Sequence, residues 1–252
     1  MATVLLIGAS RGIGLELARQ YRDSGWRVIA TARSAEGLER LQALGCETLR
    51  VDVADPAANS GLAWQLDGEK LDLAIYVAGV VDRTPAPQPP TREAFDALMH
   101  TNVLGAMQVI PQILPMLHEA RGTLACISSV MGSQQETTTG SAWLYRVSKA
   151  ALNMVVRCVQ AEAAEVTVLA LHPGWVQTDM GGPQAPLSPE RSAADLRQTL
   201  AQVQAQRSPA LTGCNPCKPL NASSSPSRGD NQIESCMRSG TWKGESTCST
   251  RN

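Results

Sequence analysis

The sequence predicts an α/β fold built on one doubly wound parallel sheet, and three observations lead there. Short apolar runs of strand length alternate with amphipathic segments of helix length across residues 3–205. The first run ends in a glycine-rich loop that opens directly into the first helical segment. Of 252 residues, 43% are apolar and 18% charged, the balance of a chain with one sizeable core. Parallel strands buried on both faces read as continuous apolar runs, and right-handed crossovers then put helices on both sides of the sheet. The expected architecture is a single domain of Rossmann type.

Each element follows in order. Residues 3–8, "TVLLIG", are a short apolar run closed by glycine, which predicts a buried strand. In "GIGLELARQYRDSG", Ile13, Leu15, Leu17, Ala18 and Tyr21 make a helical face that stops at Gly25. "WRVIATA" (26–32) is a second strand, "AEGLERLQALG" (35–45) a second helix, and "ETLRVDV" (47–53) a third strand. "PAANSGLAWQL" (56–66) opens on proline, which suits a first helical position, and "LDLAIYVAG" (71–79) is a fourth strand. After the turn-rich 80–90 a helical stretch covers 91–119, with a break expected between Asn102 and Gly105. "GTLACISS" (122–129) is a fifth strand, 142–164 a long helix, and "EVTVLALHPG" (165–174) a sixth strand. There is no internal repeat at a fixed period.

The periodicity stops near residue 207. The serine-rich remainder has no apolar face and cannot offset its ordering entropy, so 207–252 is expected to be a low-order tail behind a domain of residues 1–206. A net charge of −1 gives no attraction to nucleic acid or an anionic membrane, and neither is expected as a partner. No apolar run reaches the roughly 18 residues of a membrane span, and "MATVLLIGAS" lacks the basic start of a signal peptide. The expected location is cytoplasmic. Cys46, Cys126 and Cys158 lie in apolar segments and read as reduced, buried thiols; Cys214, Cys217, Cys236 and Cys248 crowd the tail. Cys214 and Cys217 form C-x-x-C without a second pair at zinc spacing, and His100, His118 and His172 have no ligand spacing, so no metal is expected.

"IGASRGIG" sets Gly8, Gly12 and Gly14 between a strand and a helix. Small residues there let the backbone approach a pyrophosphate, and the helix N-terminus offers N–H groups and a positive dipole. Ser10, Arg11 and Ile13 belong to the same loop. The second strand ends in "TAR", with no acid to accept bonds from a ribose; Arg33 suits a 2′-phosphate instead. NADP(H) is therefore preferred over NAD(H).

The spacing G-x-x-x-G-x-G resembles the short-chain dehydrogenase/reductase family, with Ile7 where that family has threonine. Further motifs match in order from residue 3 to about 205. The resemblance implies that Arg11 is a second cation at the 2′-phosphate, as in NADP-preferring members. It implies that Asp52 and Val53 of "VDV" meet the adenine. "YVAG" stands where the family has N-N-A-G: Ala78 and Gly79 match, while Tyr76 and Val77 depart. In "YRVSK", Tyr145 and Lys149 share one face of a helix, one turn apart. In the family this pair is catalytic, with the tyrosine as general acid and base and the lysine also bonding the nicotinamide ribose. An ammonium one turn away is expected to favour the phenolate and lower the tyrosine pKa. By the same resemblance Ser129 bonds the substrate oxygen, with Ser128 the structural alternative, and Asn102 holds a water linked to the lysine. "HPGWVQTDM" supplies Pro173 and Gly174 at a turn, with Val176 and Thr178 on the carboxamide. Residues 181–196 correspond to the family's variable substrate lid, short here, and the 15 residues 130–144 form a loop longer than usual.

The wording of these motifs is most similar to the C-factor-like small carbonyl reductases. The function implied is hydride transfer between NADP(H) and a small carbonyl or alcohol. The alternative is a nucleotide-binding regulatory or signalling protein with little or no turnover. Family members end in a seventh strand and an apolar segment at a subunit interface; nothing after Ala205 offers one. A homodimer or homotetramer weakened by the tail is the resulting expectation.

Overall fold

The computed structural model describes residues 1–207; the serine-rich segment beyond, with its C-x-x-C pair, lies outside the described residues. Six parallel strands form one sheet in the order β3-β2-β1-β4-β5-β6. They are β1 (Thr3–Ile7), β2 (Arg27–Ala32), β3 (Glu47–Arg50), β4 (Leu73–Tyr76), β5 (Thr123–Ile127) and β6 (Thr167–Leu171). The strand order reverses between β1 and β4, which opens a crevice above their C-terminal ends.

Alternation along the strands builds two cores. Leu5 and Ile7 of β1, with Ala74 and Tyr76 of β4 and Cys126 of β5, face the helices α6 (Gly105–Ala120) and α7 (Trp143–Glu162). Val4 and Leu6, with Leu73 and Ile75, face α1 (Gly12–Asp23), α2 (Ala35–Ala43) and α8 (Pro189–Arg207). Ser34 caps α2 by accepting from the Gly37 N–H at 3.2 Å.

Three departures from the sequence reading have local causes. The segment 56–66 is two single turns, α3 (Pro56–Asn59) and α4 (Leu62–Gln65), separated at Ser60 and Gly61. The break after α5 (Arg92–Met99) is a π-helical turn, His100–Leu104, that leads into α6 without ending the rod. Residues 189–196, read as part of a lid, belong instead to the 19-residue α8. Ser188, whose Oγ accepts from Arg191 N–H at 3.3 Å, followed by a proline and Glu190, is the start signal that marks it. Among the described residues there is no seventh strand, and β6 is the last described strand on its side of the sheet. Cys46 and Cys126 are buried as expected, whereas Cys158 is exposed on the outer side of α7. No described helix is long and apolar enough to cross a membrane.

Candidate active site

The glycine loop sits where β1 meets the crevice. Gly8 has φ +82°, and a Cβ there would stand 2.7 Å from Ala78 Cβ, so only glycine fits. Its N–H donates to Thr31 Oγ1 at 2.9 Å, and Ala9 N–H donates to the Thr31 carbonyl at 3.0 Å. Thr31, fully buried in β2, therefore holds the loop open; from sequence it looked like any strand threonine.

Three adjoining cavities follow the crevice. The first, about 260 Å³, lies at the ends of β2 and β3 and includes Ser10, Arg11, Arg33, Ser34, Arg40 and Asp52. Arg40 and Ser34 were missed because α2 carried no motif. Val53 and Ala78 also line it. Asp52 accepts from Ala54 N–H at 3.0 Å. The second, about 400 Å³, runs from Gly8, Gly12, Ile13 and Gly14 past Ala78 and Gly79 to Tyr145, Lys149, Pro173 and Thr178. Arg11 reaches across its mouth to Asp179 at 2.7 Å, on the opposite bank. The third, about 380 Å³ and mostly apolar, contains Ser129, Met131, Tyr145, Trp175 and Met180. Tyr145 belongs to the wall between the second and third cavities.

Helix α7 brings Tyr145, Ser148 and Lys149 to the sheet with Leu152 and Val156, one apolar stripe carrying three polar groups inward. Ala142, in the left-handed region at φ +51°, turns the chain into this helix. Lys149 lies 5.6 Å from the Tyr145 ring centroid, and its Nζ donates to the Ile127 carbonyl at 2.8 Å. Gly132 is pressed against Lys149; a Cβ there would meet the Lys149 backbone at 2.7 Å. Burial pushes the lysine down to about 8, against a smaller opposite effect of Cys126. Burial likewise raises Tyr145 above the ordinary phenol value, and a hydrogen bond with Ser129 opposes it. The expected lowering of Tyr145 by Lys149 is thus not found: desolvation dominates, and what opposes it is the Ser129 hydrogen bond.

Ser129 lies against the tyrosine and also accepts from Met131 N–H at 3.1 Å. Ser128 donates to Asn153 Oδ1 at 2.6 Å, which ties β5 to α7. Asn102, wholly buried in the π turn, accepts from Val80 N–H at 2.8 Å and donates to the Val80 carbonyl and Ser148 Oγ, each at 2.9 Å. Both amide hydrogens are thus taken by protein groups, while Oδ1 keeps one lone pair. Tyr76 donates to the Thr101 carbonyl at 2.8 Å from the other side of the same turn. At the crevice's far bank, Gly174 has φ +83°, and the Pro173 carbonyl accepts from Ser192 of α8 at 2.7 Å. The Val176 carbonyl accepts from Thr178 N–H at 2.8 Å, and Thr178 Oγ1 accepts from Gly181 N–H at 3.1 Å.

Such an assembly, a parallel-sheet nucleotide crevice ending on a buried tyrosine and lysine, defines a dinucleotide-dependent oxidoreductase class. A family model described as short chain dehydrogenase matches residues 2–186, and the chain belongs to that family. A 1-hydroxy-2-glutathionyl-2-methyl-3-butene dehydrogenase from Rhodococcus sp. (strain AD45) is 34% identical over 206 residues, 78% of this chain and 89% of that protein. C-signal of Myxococcus xanthus is 51% identical over 90 residues, 34% of this chain and 54% of that protein, in keeping with the C-factor-like resemblance. A short-chain dehydrogenase/reductase from Burkholderia multivorans solved with bound NADP superposes with TM-score 0.74 at 32% identity, covering 80% of this chain and 91% of that one. The carbonyl reductase Sniffer of D. melanogaster gives TM-score 0.75 at 26% identity, covering 80% and 92%.

Proposed function

We propose that this chain is an NADP-dependent carbonyl reductase in which Tyr145 gives the proton in reduction and takes it in oxidation. The observation that carries the reading is Tyr145 itself, buried on the wall common to a glycine-lined crevice and an apolar cavity. Nicotinamide, when bound, supplies or accepts the hydride. The residues present fit that cofactor: the Gly8–Ala78 approach leaves a cradle a side chain would fill, and Arg11, Arg33 and Arg40 line the cavity at the adenosine end. Three guanidinium groups against one carboxylate, Asp52, suit a 2′-phosphate better than a bare ribose. The NADP bound by the Burkholderia multivorans protein agrees with this preference. For Arg11 to serve, it must leave Asp179.

Within this reading Gly8, Ser10, Gly12, Ile13 and Gly14 cradle the phosphates, Asp52 and Val53 meet the adenine, and Ala78 and Gly79 line the ribose side. Pro173, Gly174, Val176 and Thr178 hold the carboxamide end. Lys149 bonds the ribose and Ser129 bonds the carbonyl oxygen. Asn102 keeps the strand–turn junction next to Lys149 rigid. A cytoplasmic domain of residues 1–206 that associates as a dimer or tetramer completes the proposal; exposed Met107, Val147 and Met154 support the association.

The test is a NADPH fluorescence titration followed by a carbonyl screen. Tyr145→Phe is expected to bind NADPH as the wild type does and to lose turnover by at least ~100-fold, the range for a positioned acid–base group. Wild-type turnover in that variant would overturn the assignment. Tight NADPH binding with no carbonyl turned over by the wild type would favour the regulatory alternative.

A further inference from the structure

We propose that the apolar cavity beside Tyr145 takes carbonyl compounds bearing a carboxylate or similar anionic group, and that Arg83 selects them. The proposal rests on the oxidoreductase reading for the reactive end of the substrate and adds the chemistry of its other end. The cavity, about 380 Å³, is walled largely by Val81, Val130, Met131, Trp175 and Met180. Such walls favour an apolar body and leave orientation to a few polar groups. Ser129 and Tyr145 meet the reacting oxygen. His172 also lines the cavity, and burial lowers its pKa, so it stands there as a neutral imidazole. Among the described residues lining this cavity, Arg83 carries the one full charge.

That charge is left available by its surroundings. Asp82, its neighbour, turns into its own loop and accepts from Thr84 N–H at 3.0 Å and Thr84 Oγ1 at 3.2 Å. Asp179, on the facing loop, makes no ion pair with Arg83; it pairs with Arg11 at 2.7 Å and is released when Arg11 turns to the 2′-phosphate. Arg83 donates to the Met180 carbonyl, which anchors the guanidinium at the cavity wall while most of its five donors point elsewhere. Arg83 is exposed at the cavity mouth, so its pull on an anion is modest and falls with added salt. A rigid planar fork also suits a carboxylate in particular.

The test compares wild type and Arg83→Gln with 4-formylbenzoate and 4-methylbenzaldehyde, which share ring and aldehyde and differ in the anionic group. With NADPH, the wild type is expected to favour the acid in kcat/KM by roughly five- to tenfold, less at high salt. Arg83→Gln is expected to lose that factor on the acid alone and to bind NADPH unchanged. Equal kcat/KM for the two aldehydes in the wild type, or a preference that persists in Arg83→Gln, would overturn the proposal. The same aldehydes are also titrated against tryptophan fluorescence in the presence of NADP⁺, where no reduction occurs. Tighter binding of the acid to wild type than to Arg83→Gln, with neither aldehyde reduced, would uphold Arg83 and sink the oxidoreductase reading. Turnover of both aldehydes without discrimination would do the reverse.

Discussion

Lys149 has 3% of its surface exposed and gives its Nζ to the Ile127 carbonyl at 2.8 Å, so its ammonium has exchanged a full hydration shell for sparse protein contacts. That exchange disfavours the charged form and brings the group down to about 8 from an ordinary 10.5. The sign for stability follows from proton counting. Between about pH 8 and 10.5 the unfolded chain holds this proton and the folded chain has lost it, so stability gained from this group rises with pH across that window. Below pH 8 both states are protonated and the gain is absent. Lys149→Met removes the titration. Measured without added NADPH, the melting temperature of wild type relative to Lys149→Met should therefore climb between pH 7.5 and 9.5. A flat difference would mean that the lysine titrates at its ordinary value. The proposed partner Tyr145 moves upward with burial, away from that window.

The π turn His100–Leu104 shows how an element can carry a site. An extra residue in the helical ladder frees the Thr101 carbonyl, which Tyr76 of β4 takes at 2.8 Å, while Asn102 binds both backbone groups of Val80. Gly105 leaves room for this: a Cβ there would stand 2.6 Å from the Tyr76 hydroxyl. The tyrosine that departs from the family's N-N-A-G motif is thus a strut between sheet and turn. Tyr76→Phe deletes the donor to a part-buried carbonyl, and should cost about 1 kcal/mol in urea unfolding. No loss would show that the Thr101 carbonyl finds another partner. The strands, the glycine loop and the tyrosine–lysine pair were legible because apolar runs and spacing encode them directly. The π turn was legible only as a break, since a one-residue insertion leaves composition unchanged. Helix α8 escaped because its inner face is Ser192, Ala193, Leu196 and Leu200 within a glutamine-rich segment, too narrow an apolar stripe to stand out. Arg83 and Arg40 escaped for another reason: a solvated arginine and one that lines a cavity look alike until the chain is folded.

At the scale of the molecule, α8 closes one face of the sheet and reaches the site at the same time. Leu196 and Leu200 join Leu17 and Tyr21 in one core, Arg197 stacks at 4.8 Å over the Tyr21 ring, and Ser192 holds the Pro173 carbonyl. The opposite face is less complete. Helix α7 turns Tyr145, Ser148, Lys149 and Leu152 inward, yet Val147 and Met154 are 51% and 63% exposed. These two stand two turns apart on one outer face of α7, and Met107 of α6, in the same layer of helices, is 53% exposed. Solvation of such residues is costly in a free monomer, and a second copy of the helix pair would cover them. Light scattering should therefore find a dimer or tetramer in the wild type. Val147→Glu with Met154→Glu should shift it to a monomer of unchanged circular dichroism, because both substitutions lie on the side of α7 away from the core. NADPH binding should survive, since the inward stripe that carries the tyrosine and lysine is untouched. A wild type that is monomeric at tens of micromolar would end the proposal of association through this face.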